Sequence, residues 1–194
     1  MRSLQFAPVA AFFSIVLAPG PASAELVAED ASLVPLFAET CTRGGVNAEA
    51  ILQGMAGSPD WTEVTPPTVD LRALEEVPSR LMGGALRRAE STRQWRRTMN
   101  GREVILAVAT FAERNAYHHA CVLFAADIRN AMPYLDAMDD AMRAIDLSGK
   151  STDLPHYREY GNRLADGREA HADIFSRSRA LETPRTMHLS IVFE

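Results

Sequence analysis

The chain has 194 residues, with 20 Lys and Arg against 25 Asp and Glu, and a formal net charge of −5. Its 47% hydrophobic and 23% charged residues are the composition of a folded domain, not of a disordered chain. The acidity argues against an unspecialised nucleic-acid surface, whose affinity comes from basic side chains facing phosphates, so no nucleic acid is expected as a partner.

The chain opens "MRSLQFAPVAAFFSIVLAPGPASA". Arg2 supplies a short positive n-region, and Phe6 to Ala18 is a mostly apolar run. Pro19, Gly20 and Pro21 break it, and Ala22-Ser23-Ala24 forms a small-x-small cleavage site before Glu25. Residues 1–24 therefore read as a cleaved secretory signal peptide, and a periplasmic or secreted location is expected. The apolar run is shorter than the roughly 20 residues of a spanning helix, so no stable membrane insertion is expected after cleavage. Residues 25–194 read as one α+β domain, with a helical part at 25–57, a loop-rich segment at 58–90 and a sheet-forming part at 91–194.

Two helices are expected first. In "SLVPLFAETC", Ser32 is an N-cap candidate and Pro35 fits the first turn. Leu33, Leu36, Phe37 and Cys41 share one helical face, which turns Cys41 toward the core. Gly44-Gly45 ends this helix, and Asn47 can cap a second that carries Ile51, Leu52 and Met55. "SPDWTEVTPPTVD" reads as a proline-rich loop in which Trp61 plugs the core. A short helix is expected around Glu75 to Met82.

Asn100-Gly101 separates two extended runs, and Asn-Gly favours the type I′ turn that matches strand twist. Arg87-Arg88 and Arg96-Arg97 make a small basic patch beside this hairpin, with Arg97 expected to turn outward while Trp95 packs. "ACVLFAAD" reads as a third strand. Val104 to Phe111 and Ala120 to Ala126 are apolar on both faces, as central strands covered on two sides are. A helix with Asn130 as cap and Pro133 in its first turn follows. Its stripe is Tyr134, Leu135, Met138, Met142 and Ile145, and Asp136, Asp139, Asp140 and Arg143 form a solvated face.

Beyond the helix the order repeats. Gly-Arg-Glu recurs at 101–103 and 167–169, and the same shift lays the strand at Cys121 onto one at Met187. The expected fold is thus α+β: a mainly antiparallel sheet of five or six strands, a three-strand repeat around a central helix, and two N-terminal helices.

Cys41 and Cys121 are the only two cysteines. In an oxidising compartment they are expected to pair, closing a loop of about 80 residues and adding roughly 3–5 kcal/mol of stability. His118 and His119 precede Cys121 in "AYHHACVLF", and are read as surface residues of the loop before the strand. The sharper reading, a metal contact through His118 and His119, lacks the three or four ligands that a zinc site needs.

The last two strands hold the richer polar set. Ala170, Ala172 and Ile174 should meet the core with Met187, Leu189, Ile191 and Phe193. Strand parity then puts His171, Asp173, Phe175 and Arg177 on the opposite face with His188, Ser190 and Val192. His171, Asp173, His188 and Ser190 are the residue types of acyl transfer. Yet no Gly-x-Ser-x-Gly elbow accompanies Ser190, and a regular strand offers no oxyanion hole. No phosphate-binding loop, dinucleotide fingerprint or metal motif is present, so no cofactor is expected. The sequence is best read as an exported, non-enzymatic binding module for a protein or small-molecule partner in the cell envelope. The alternative is a small secreted hydrolase working through the C-terminal sheet face.

Overall fold

The computed structural model describes residues 32–68, 89–111, 118–128, 132–147, 149–154, 157–177 and 185–194. The expected signal peptide, the helix at Glu75 to Met82, Arg87-Arg88 and the Asn130 cap lie outside the described residues.

Helix α1 (Leu33–Cys41) buries Leu33, Val34, Leu36, Phe37, Thr40 and Cys41, the face its spacing implies. Ser32 starts it through its backbone carbonyl, which accepts from Leu36 N at 3.1 Å, while its side chain makes no cap bond. A short helical turn, α2 (Arg43–Val46), carries left-handed Gly44 and Gly45 at φ 63° and 74°. Asn47 then caps α3 (Ala48–Ala56), its Oδ1 accepting from Ala50 N at 3.0 Å.

Eight strands follow: β1 (Thr62–Val64), β2 (Ala89–Met99), β3 (Arg102–Phe111), β4 (His119–Ile128), β5 (Lys150–Leu154), β6 (Tyr157–Arg163), β7 (Glu169–Arg177) and β8 (Arg185–Phe193). Helix α4 (Met132–Arg143) stands between β4 and β5. All strands join one antiparallel sheet in the order β1-β2-β3-β4-β8-β7-β6-β5. Among the described residues the sheet therefore has eight strands where five or six were expected. The extra two are its edges. β1 is three residues long inside a proline-rich run, and β5 (KSTDL) is polar, so neither carries an apolar alternation to read.

The expected order of three strands, helix and three strands is present as β2–β4, α4 and β6–β8, and the two meanders meet at β4 and β8. Trp95 on β2 pairs with Leu106, and Tyr160 on β6 pairs with Ala172, so the first strand of each unit buries one large aromatic against the same helix-covered face. The turns differ. Asn100 and Gly101, at φ 52° and 76°, form the expected two-residue left-handed turn. The second Gly-Arg-Glu sits in a longer loop closed by Leu164 N to Arg168 O at 2.8 Å.

The helices cover one face. α1 packs on α4 and on β4 and β8, while α4 reaches β6 and β7. Trp61, Trp95, Val104, Leu106, Val108, Leu123, Ile174, Leu189 and Phe193 join the helices in this core. The other face is buried as well, around Ala107, Ala109, Phe111, Ala120, Val122 and Val192. Gln94, fully buried, faces it from β2, and its Oε1 accepts from Thr68 N at 3.0 Å. The chain thus passes from the first face at Trp61, round the β1 edge, to the second at Thr68.

Cys41 and Cys121 form the expected disulfide, with sulfurs 2.02 Å and Cα atoms 5.6 Å apart. Both are fully buried, and the bond pins the end of α1 to a central strand. The polar face of α4 departs from expectation. Arg158 on β6 is buried and contacts Asp139 at 2.7 Å and Asp136 at 3.4 Å. The Tyr160 hydroxyl donates to Asp139 Oδ1 at 2.5 Å. Burial, and then the Asp139 carboxylate, push the Tyr160 phenol well above its ordinary range. Only Asp140 and Arg143 form the exposed pair of a solvated face, at 2.7 Å. Arg97 also differs: it shares the Trp95 side of β2 and reaches Asp60 at 3.6 Å.

Replacing both Cys41 and Cys121 by Ala is expected to lower the unfolding free energy by about 3–5 kcal/mol, because the denatured chain regains the freedom of a long loop. Urea titration of the oxidised protein against this variant measures it; coincident midpoints would mean the bridge contributes nothing.

Candidate functional site

Register settles which side chains of the C-terminal hairpin meet. Asp173 pairs with Ser190, Phe175 with His188 and His171 with Val192, so the predicted parity of both strands is correct. Ala170, Ala172, Ile174, Met187, Leu189, Ile191 and Phe193 all enter the helix-covered core. On the opposite face Asp173, His188 and Ser190 come together. Ser190 Oγ donates to Asp173 Oδ1 at 2.6 Å. His188 Nε2 lies 3.4 Å from the same oxygen, but its geometry makes no hydrogen bond, and no other partner occurs among the described residues.

His171 stands apart from this trio. Its half-buried ring lies over Gly161 of β6, where an added Cβ would come within 2.6 Å of the ring. With Asn162, Arg163 and Glu169 these two residues line an open cavity of about 410 Å³. Arg163 and Glu169 already pair there at 3.1 Å.

The trio is not an open face. Ser190 is fully buried, Asp173 is 1% exposed and His188 5%. His188 sits in an aromatic row that crosses four neighbouring strands in register. Its ring centroid is 6.4 Å from that of Phe124 and 5.3 Å from that of Phe175, which in turn meets Tyr157 edge-on at 6.2 Å. Such tilted and T-shaped contacts are favourable packing for the rings.

The wiring is wrong for a nucleophilic serine. Acyl transfer needs the imidazole between hydroxyl and carboxylate, to take the hydroxyl proton. Here the carboxylate is the hub, and the Ser190 proton points at Asp173. Ser190 is also flanked by Val122 on β4 and Asp173 on β7, in the interior of a ladder whose backbone N–H groups serve neighbouring strands. The arrangement satisfies a buried carboxyl; it does not activate a hydroxyl.

No family model, curated protein or solved structure matches the chain. The chemistry therefore rests on its own geometry.

His118 and His119 are placed differently from each other. His119 is not a loop residue but the first residue of β4. Its ring stacks at 5.6 Å on Phe193, and its Nδ1 is buried without a hydrogen bond among the described residues. Burial, then the charges of His118 and Arg168, hold its pKa below the ordinary histidine value. The His118 backbone is tied on both sides, N to Phe193 O at 3.1 Å and O to Phe111 N at 2.9 Å. Among the described residues no group of three or more His, Cys, Asp or Glu is placed to hold a metal ion.

Sequence reasoning missed one polar hub. Arg168 donates to the carbonyls of Gly45 at 2.9 Å, Val46 at 2.9 Å and Glu194 at 3.2 Å, and pairs with Asp166. The hydrogen bonds that Arg168 donates to Asp166 from its side chain and its backbone N–H hold the Asp166 carboxyl below its usual range. One arginine so joins the α2 turn, the β6–β7 loop and the last residue. The residue lies in the repeated Gly-Arg-Glu, but its partners come from distant parts of the chain.

Two consequences are measurable. Ser190→Ala leaves the buried Asp173 carboxyl without its hydroxyl donor and is expected to cost about 1–3 kcal/mol in urea unfolding. Ser190→Val with Asp173→Leu should recover part of that loss, since neither partner of the Ser190–Asp173 bond is then left unpaired. A neutral Ser190→Ala would show that the bond is not structural. For His119, the folded pKa lies below the unfolded value of about 6.5. The unfolded chain then binds more protons as pH falls below about 6.5, so the histidine costs stability in acid and nothing above. The stability difference between wild type and His119→Gln should accordingly shift toward the variant as pH drops below about 6.5, and a pH-independent difference would refute it.

Proposed function

We propose that the chain is a non-enzymatic binding module of the cell envelope, exported by its N-terminal segment and held rigid by the Cys41–Cys121 disulfide. The supporting observation is the burial and wiring of Asp173, His188 and Ser190, with the carboxylate between hydroxyl and imidazole. Asp173, His188 and Ser190 are buried and Ser190 donates to the carboxylate, which argues against the alternative of a hydrolase acting through His171, Asp173, His188 and Ser190. A rigid sheet anchored to a helix layer suits recognition, because little order is lost when a partner binds a pre-formed surface. Export agrees with the disulfide, which persists in oxidising compartments. Among the described residues no helix is long and apolar enough to cross a membrane.

Purified oxidised protein is expected to hydrolyse no chromogenic ester, amide or glycoside faster than buffer does, and Ser190→Ala and His188→Phe should change nothing. Turnover that disappears with either substitution would overturn the reading.

A further inference from the structure

Three non-glycine residues in the described chain have positive φ: Val46 at 61°, Asn100 at 52° and Asp146 at 60°. Asn100 belongs to the hairpin turn, where that conformation is expected. The other two, distant in sequence, line the same cleft. It has a volume of about 270 Å³ and is walled by Val46, Ile145, Leu164 and Ala165, with Asp146 and Asp166 also lining it. Val46 is β-branched, and such a residue in the left-handed region is an outlier. Its carbonyl is held by Arg168, as is that of Gly45. Asp146 ends α4 in the position that favours glycine: Leu147 N reaches back to Met142 O at 2.9 Å and Asp146 N to Arg143 O at 3.2 Å. At both places glycine would relieve the backbone; the Val46 side chain is buried in the core while that of Asp146 is exposed at the cleft.

The two acidic groups are not equivalent. Asp166 is neutralised by Arg168, with contacts of 2.6 and 2.7 Å. The Asp146 carboxylate is exposed and has no ion pair or hydrogen bond among the described residues. Only its backbone carbonyl is used, accepting from Asn162 Nδ2 at 3.0 Å. The cleft therefore offers apolar walls and one uncompensated negative charge, the combination that an aliphatic chain ending in a cation completes.

We propose that this cleft binds a short linear alkylammonium group, with the chain against Val46, Ile145 and Leu164 and the ammonium at Asp146. This rests on the reading of the chain as a binding module and gives it a site and a ligand class. The probe is n-pentylammonium chloride, titrated into the oxidised full chain and followed by amide and methyl chemical shifts, with n-pentanol at matched salt as the uncharged control. Saturable shifts at Val46, Ile145, Leu164 and Ala165 are expected at up to about 50 mM, as suits so small a ligand. Pentanol should bind about tenfold more weakly, the factor that one charge contact near a surface represents. Asp146→Gly should keep or raise the melting temperature while losing the preference for the ammonium. Asp146→Asn, which keeps the side-chain volume, should lose it too and decides the matter if the glycine variant folds poorly. Equal binding of the two probes, shifts that do not saturate, or a preference that survives both substitutions would overturn the proposal. Failure here leaves the binding-module reading standing, because its own test reads turnover at Ser190 and His188, outside this cleft.

Discussion

The pairing of β4 with β8 is the contact on which the architecture depends. Each half of the chain builds a four-stranded antiparallel meander, β1–β4 and β5–β8. Alone, each meander would expose the ladder groups of its last strand, an edge that invites pairing with any other chain. Joining β4 to β8 removes both edges at once and leaves as outer edges only the short β1 and the polar β5. The contact also turns two half-layers into one sheet wide enough for a helix layer. Cys121 lies on β4 within this seam, opposite Ile191 of β8, so the disulfide anchors α1 where the two halves meet.

A sheet buried on both faces constrains every polar residue on its central strands. Each such group needs a partner nearby, since an unmade bond costs more than a made one gains. Two of these groups are met by single local contacts, Ser190 to Asp173 across one strand pair and Gln94 to the backbone of Thr68, while His188 Nε2 makes no hydrogen bond among the described residues. Residue types associated with catalysis thus appear on the C-terminal hairpin because alternation places them there. Asp173, His188 and Ser190 are then buried there.

What could be read from the sequence follows the range of the interaction responsible. Asn100-Gly101 is a two-residue signal and folds as expected. The parity of 170–177 and 187–193 is legible because a single apolar alternation decides it. The disulfide followed from two cysteines, each on an apolar face. Arg158 to Asp139 was not legible, because each residue alone looks like part of a solvated surface and only the packing of α4 on β6 brings them together. β1 was hidden by its length and its prolines. His119 was read as loop because strand β4 begins one residue earlier than the apolar run. In the candidate site, membership of the trio followed from parity, but not its wiring: whether serine donates to aspartate or to histidine depends on side-chain rotamers within a packed face.

The two halves share a strand plan but not the means of holding their helices. In the first half α1 is held covalently, through a buried sulfur bridge that neither salt nor acid loosens. In the second, α4 combines its apolar stripe with Arg158 and Tyr160 converging on Asp139. A buried guanidinium of this kind gains little over an apolar residue of equal size, but losing one partner strands a charge. The second attachment is therefore specific in orientation without being a large source of stability. α4 ends at the left-handed Asp146, and the turn that follows the disulfide-anchored α1 carries the left-handed Val46, so both attachments border the cleft.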